Sequence, residues 1–289
     1  MANAASSSTA TPPPTEAGRL RRIVEIVLFV ALWMGIGFRF RLDPNAYLLI
    51  GIPLTGFFQW AIRRKPIRAL WVRSAPIVRW DTRMLIGLIV LLVVPCFGLL
   101  HTLRSPSGID WIRAAWFASA VAGAFAAAYS LRNFTRETLD SLYRCLATAG
   151  LYGAIIVLGA AVAIHFPVRS PILMVRVAIE SLLAYVPVCY FLEEVTFRGL
   201  LDAHVYEPGE KRSILSASFI SVLWGIWHLP IAPREGPILL LIARLILVHT
   251  LLGVPLSLYW RRSGNLGVPA LTHSLVDALR NALLSGFWI

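Results

Sequence analysis

The sequence predicts an all-α fold, a polytopic transmembrane helical bundle of eight or nine spans. Three observations predict it. Of the 289 residues, 57% are hydrophobic and only 15% are charged. Mean hydropathy is +0.70, and apolar stretches of span length recur from end to end. A helix needs about 20 residues to cross a hydrocarbon core about 30 Å thick, so the recurrence signals many spans rather than one anchor. These values exclude an ordinary soluble domain and make the lipid bilayer the first partner. The formal charge of +12 does not indicate nucleic acid, because the arginines sit in short blocks between apolar runs, not along one polar helix face. Cys96, Cys145 and Cys189 lie far apart in apolar sequence, which fits buried thiols and neither a disulfide framework nor a cysteine-based zinc site.

Taken in order, residues 1–20 form a small, polar, proline-rich tail that buries too little apolar surface to order itself. Arg19, Arg21 and Arg22 then precede an apolar run that imitates a signal peptide. No small-residue cleavage site follows, so this run is expected to persist as the first helix. The candidate spans are 23–40, 47–62, 84–101, 111–131, 145–164, 172–192, 214–229, 237–260 and 266–287. The second is short and carries Pro53, and the last holds His273, Asp277 and Arg280, which leaves eight spans as the alternative to nine. With nine spans and the N-terminus inside, 18 of the 27 Lys and Arg residues fall on the cytoplasmic side, 7 on the other and 2 within spans. Cytoplasmic span ends carry an excess of both residues. The expected location is therefore the cell membrane, multi-pass, with the N-terminus in the cytoplasm.

Ionisable groups inside a bilayer cost several kcal/mol and are functional candidates by default. They concentrate late in the chain, as Arg176, Glu180, Glu193, Glu194, Arg198, His228, Arg244, His249, His273, Asp277 and Arg280. Residues 21–165 are nearly free of them within the spans and read as scaffold helices. In FLEEVTFRGLL, an advance of about 100° per residue puts Arg198 about 40° around from Glu194 but about 140° from Glu193. The i,i+4 pairing of Glu194 with Arg198 assigns Glu194 to support and leaves Glu193 for chemistry. A plain helix end would carry the same three charges. His228 closes the seventh span, four residues after Trp224. His273 and Asp277, also at i,i+4, share a face on which a carboxylate fixes an imidazole tautomer or both point into one site. Arg176 with Glu180 reads as a self-neutralising pair. Arg244, His249 and Arg280 are left outside the catalytic set.

An acidic pair followed by Arg-Gly, an aromatic four residues before a histidine, and a histidine four residues before Asn or Asp resemble the CAAX protease and bacteriocin-processing family, that of the type II CAAX prenyl endopeptidases. The matching residues are Glu193 to Gly199, Trp224 to His228, and His273 to Asp277, with Gly264-Asn265-Leu266 and Pro269 resembling the lead-in to the last motif. Two positions depart: Trp224 stands where Phe is usual, and Asp277 where many members have Asn. An ionised carboxylate cannot donate the hydrogen bond that an amide donates. The resemblance implies that residues 166–289 form the protease core, a glutamate-type intramembrane endopeptidase. Glu193 and His228 would activate water, and His273 with Asp277 would stabilise the oxyanion, with Glu194 and Arg198 in support. The implied substrate is a protein or peptide near the cytoplasmic face, lipidated or carrying a C-terminal sorting tail. No cofactor is expected. A zinc site built from a glutamate and two histidines is the alternative that the residue types allow. A binding or immunity protein of the same fold, or a proton-coupled transporter, are the competing functions.

Overall fold

In the computed structural model the described residues are 16–163, 170–206, 213–233 and 236–285. They form nine helices and no strand. The helices are α1 (Glu16–Phe40), α2 (Pro44–Arg63), α3 (Thr82–Leu103), α4 (Trp111–Arg132), α5 (Arg136–Ala163), α6 (Pro171–Val205), α7 (Ser213–Trp227), α8 (Ile238–Ser263) and α9 (Gly267–Arg280). A short π segment, Asn281–Ser285, extends α9. Seven of them, all but α7 and α9, are long and apolar enough to cross a membrane. The 15 residues of α7 reach about 22 Å at 1.5 Å per residue, short of the hydrocarbon core. The nine expected spans are thus nine helices, and the two that fall short as spans carry His228 at an end and His273 inside. Most of the N-terminal tail, and the ends of the fifth and last expected spans, lie outside the described residues. Helix α1 reaches back to Glu16, so the last part of the expected tail is helical.

The outer faces of the bundle are apolar. On α3, Leu85, Ile86, Ile89, Val90, Val93, Phe97 and Leu100 are all exposed. A row of that kind in a water-soluble protein is an aggregation surface, and here it is what lipid chains require. Local starts follow ordinary capping chemistry. The Asp43 carboxylate accepts from the backbone N–H groups of Asn45 and Ala46 ahead of α2. Asp81 accepts from Met84 N–H at the start of α3. That backbone bond, joined by Arg132, holds the Asp81 carboxyl below the usual range.

The arginine-rich connections meet at one end. Arg63 donates to the carbonyls of Gly199 and Ala203, and Arg73 donates to those of Arg261 and Trp260. Arg132 pairs with Asp81 at 2.7 Å, and Arg262 with Asp140 at 2.6 Å. Glu25 of α1 bonds His204 at 2.8 Å. The ends of α1, α2, α4, α6 and α8 thereby form one layer, the same groups that the charge count assigns to one side. Asp202 and Arg261, both buried, anchor it through a two-pronged pair of 3.0 and 2.5 Å.

Gly199 explains how the segment after α2 docks. A Cβ there would meet the Leu70 carbonyl oxygen at 2.4 Å, closer than side-chain atoms approach backbone. Gly199 is thus neither cap nor ornament: it lets the 67–72 segment lie against α6. Gly199→Ala is expected to lower the unfolding midpoint in detergent by several degrees, through overpacking that costs about 1–3 kcal/mol. Differential scanning fluorimetry reads this directly.

Candidate functional site

Glu193 and Glu194 lie in a stretch of α6, Tyr190–Asp202, that is wound as a π-helix. The stretch follows Pro187, which interrupts the regular backbone bonding. Wider π winding is frequent at functional sites. It changes the phase assumed from a regular α-helix, yet the division of the acids holds. Glu194 is fully buried, with Arg198 at 3.3 Å, also fully buried. Glu193 is only part-buried and faces a cavity.

That cavity, of about 290 Å³, is lined by Glu193, Trp224, His228, His249, His273 and Asp277, with α5 contributing Gly153 and Val157. At about 30 Å³ per water in the liquid it has room for several molecules. Along the helices it lies roughly 10 to 20 Å from the arginine-rich end, at 1.5 Å per residue.

Trp224 organises the wall. Its indole N–H donates to Glu193 Oε2 at 3.0 Å, and its carbonyl accepts from His228 Nδ1 at 2.9 Å. The Arg198 guanidinium lies over its ring at 4.2 Å, a cation–π contact that a dry site strengthens. His228 follows α7 directly, where Pro230 prevents the helix from continuing. The end of α7 is held by an aromatic cluster: Tyr47 Oη donates to the Trp227 carbonyl at 2.8 Å, and Trp33 packs edge-on against Trp227 at 4.8 Å.

His273 enters from α9. Gly264 supplies the left-handed residue that ends α8, with φ 61°. Asn265 then donates to the Ser130 carbonyl at 2.9 Å and accepts from Gly267 N–H at 2.9 Å. This turn fixes where α9 starts, and hence the height of His273. The imidazole Nδ1 bonds Glu194 Oε1 at 2.8 Å, while its Nε2 stands 3.8 Å from Asp277 Oδ2. The carboxylate that orients His273 is therefore Glu194, not Asp277. Asp277 is held instead by Arg280 at 2.9 Å.

The structure thus gathers all six residues singled out in the sequence. Glu193, His228, His273 and Asp277 face the cavity, and Glu194 and Arg198 stand behind it. It adds three that sequence reasoning left aside. His249 packs on His228 with ring centroids 4.1 Å apart, and its Nδ1 bonds the Leu245 carbonyl at 2.7 Å. Arg280 neutralises Asp277, and Cys189 Sγ lies 3.5 Å from Asp277 Oδ2. The signal for His249 was present, as an ionisable group inside a span, but a single residue without a spaced partner does not announce its neighbours. His249→Phe keeps the ring volume and removes both nitrogens next to His228. Activity of the folded variant is expected to fall about tenfold, or about 1.4 kcal/mol of barrier, read as kcat in a cleavage assay.

Fold and site together define a multi-pass helical membrane protein with a carboxylate–imidazole cavity inside its bundle. Residues 171–279 match the family model described as Type II CAAX prenyl endopeptidase Rce1-like. This segment, α6 to α9, is similar to the CAAX proteases, and the match supports a CAAX-type intramembrane endopeptidase in general. No curated protein and no solved structure matches the chain.

Proposed function

We propose that this protein is a glutamate-type intramembrane endopeptidase of the cell membrane, with its N-terminus in the cytoplasm. Its proposed substrate is the C-terminal peptide of a lipidated, membrane-associated protein. The observation that carries the reading is that Glu193 of α6, His228 in the turn after α7 and His273 of α9 line one cavity inside an apolar bundle. Random placement of costly ionisable groups does not converge them.

In the proposed reaction Glu193 and His228 position a water molecule, and Glu193 takes its proton as the oxygen attacks the scissile carbonyl. The C–O bond forms as the carbonyl electrons move to oxygen. The His273–Asp277 side of the cavity stabilises that oxyanion. When the C–N bond breaks, the proton on Glu193 passes to the departing nitrogen. Trp224 keeps the Glu193 carboxylate aimed, and Glu194 keeps His273 aimed. The arginine-rich layer supports a cytoplasmic side for that end, and the enclosure of the cavity by apolar helices supports a cut inside the bundle near that face.

The test is cleavage of a prenylated C-terminal peptide by the purified protein in proteoliposomes. Turnover by the wild type, lost in Glu193→Gln, supports the proposal. A folded wild type inert toward prenylated and otherwise lipidated peptides overturns it.

A further inference from the structure

We infer that Cys189, His273 and Asp277 form a binding site for one divalent cation of the zinc class at the wall of the cavity. Among the described residues these three bring their ligand atoms within 4.8 Å of one another. Cys189 Sγ and Asp277 Oδ2 are 3.5 Å apart, and His273 Nε2 and Asp277 Oδ2 are 3.8 Å apart. Tetrahedral zinc, with about 2.3 Å to sulfur and about 2.0–2.2 Å to nitrogen and oxygen, sets its ligand atoms about 3.4–3.6 Å from each other. The third separation, between Cys189 Sγ and His273, lies within 4.8 Å, so closing on an ion requires the thiol or the imidazole to move by up to about 1 Å to reach the spacing of zinc ligands. The set differs from a glutamate with two histidines, and it uses a thiol that the proposed hydrolysis leaves without a role.

The surroundings suit such an ion. His273 bonds Glu194 through Nδ1, which leaves Nε2 for a cation. This is the carboxylate–histidine–metal arrangement that fixes the tautomer of a ligating imidazole. Asp277 divides its two oxygens: Oδ1 is held by Arg280 at 2.9 Å, and Oδ2 is turned toward Cys189 and His273. All three side chains are buried, which distinguishes the cluster from surface groups that collect ions loosely. Arg280 keeps its pairing with Asp277 Oδ1, and binding an ion through sulfur releases the thiol proton.

His273 and Asp277 line the cavity, so a three-ligand ion there keeps a fourth position facing it. If the cavity receives a peptide carbonyl, as proposed above, the ion acts as a Lewis acid on its oxygen. It would supply the oxyanion stabilisation that an ionised Asp277 cannot supply as a donor. The chemical role rests on that proposal, whereas the binding site does not.

Cobalt(II) titration of the purified full-length protein in detergent tests it. The expected result is one cobalt per chain, with thiolate-to-cobalt charge-transfer absorption that zinc displaces. Cys189→Ser should lose this absorption, and Cys96→Ser should keep it. Glu193→Gln should bind cobalt normally while cleaving nothing. Absence of the charge-transfer absorption in the folded wild type overturns the site, whether or not Cys189→Ser folds; so does the same absorption in Cys189→Ser. A wild type that cleaves but binds no cobalt refutes this inference and leaves the endopeptidase standing. One that binds cobalt but cleaves nothing does the reverse.

Discussion

Glu193→Gln is expected to lower turnover by about 10²- to 10⁴-fold, the range that general-base removal costs, while leaving the fold and substrate binding nearly unchanged. The amide preserves the shape of the side chain and still offers Trp224 an acceptor oxygen, so the 3.0 Å bond from the indole survives. What it loses is the ability to take a proton from water. The loss belongs to the transition state alone, so it should appear in kcat with KM little altered. Among the described residues no cation is bonded to Glu193 that the exchange would strand, and the melting temperature should stay near that of the wild type. Steady-state kinetics and thermal unfolding on the same preparation separate the two effects.

Glu194→Gln, one position along, should do something different. The Glu194 carboxylate is fully buried with Arg198 at 3.3 Å and with His273 at 2.8 Å. Removing its charge strands a fully buried guanidinium, and breaking one half of such a pair costs about 3–5 kcal/mol. The expected result is a marked fall in the unfolding midpoint in detergent, with activity lost as a consequence. A second variant isolates the cause. Glu194→Leu combined with Arg198→Met removes both charges, and well-packed apolar replacements of buried pairs are often neutral or stabilising. That double variant should recover much of the stability and none of the activity, because His273 still lacks the acceptor that orients it. Equal damage in the single and double variants would show that the pair is not what holds this region.

Much of this was legible in the sequence. Span-length apolar runs locate all nine helices, because the bilayer imposes apolar length whatever packs against them, but they miss polar extensions: α1 starts 7 residues earlier, α5 starts 9 earlier and α6 ends 13 later than the apolar runs. The division between Glu193 and Glu194 was also legible, since Arg198 at i+4 reaches only one of them even when the backbone widens to π winding. What escaped was whatever depends on how helices distant in sequence come together. The His273–Asp277 spacing suggested a local carboxylate–imidazole pair. The carboxylate that bonds His273 comes from 79 residues away, an arrangement that no periodicity encodes. His249 and Cys189 were passed over for the same reason, each being an isolated residue on an apolar helix until α6, α8 and α9 pack. The length of α6 escaped as well: a pair of acids reads as a span end, but the helix runs on to Val205.

The most direct test of the account is to incubate the purified protein in proteoliposomes with a prenylated peptide in heavy-oxygen water and weigh the products. Hydrolysis by an activated water predicts one heavy oxygen in the new C-terminal carboxylate with the wild type, and no product with Glu193→Gln. A wild type that binds such peptides without generating a new carboxylate, or a Glu193→Gln variant that generates it at the wild-type rate, would contradict the central claim.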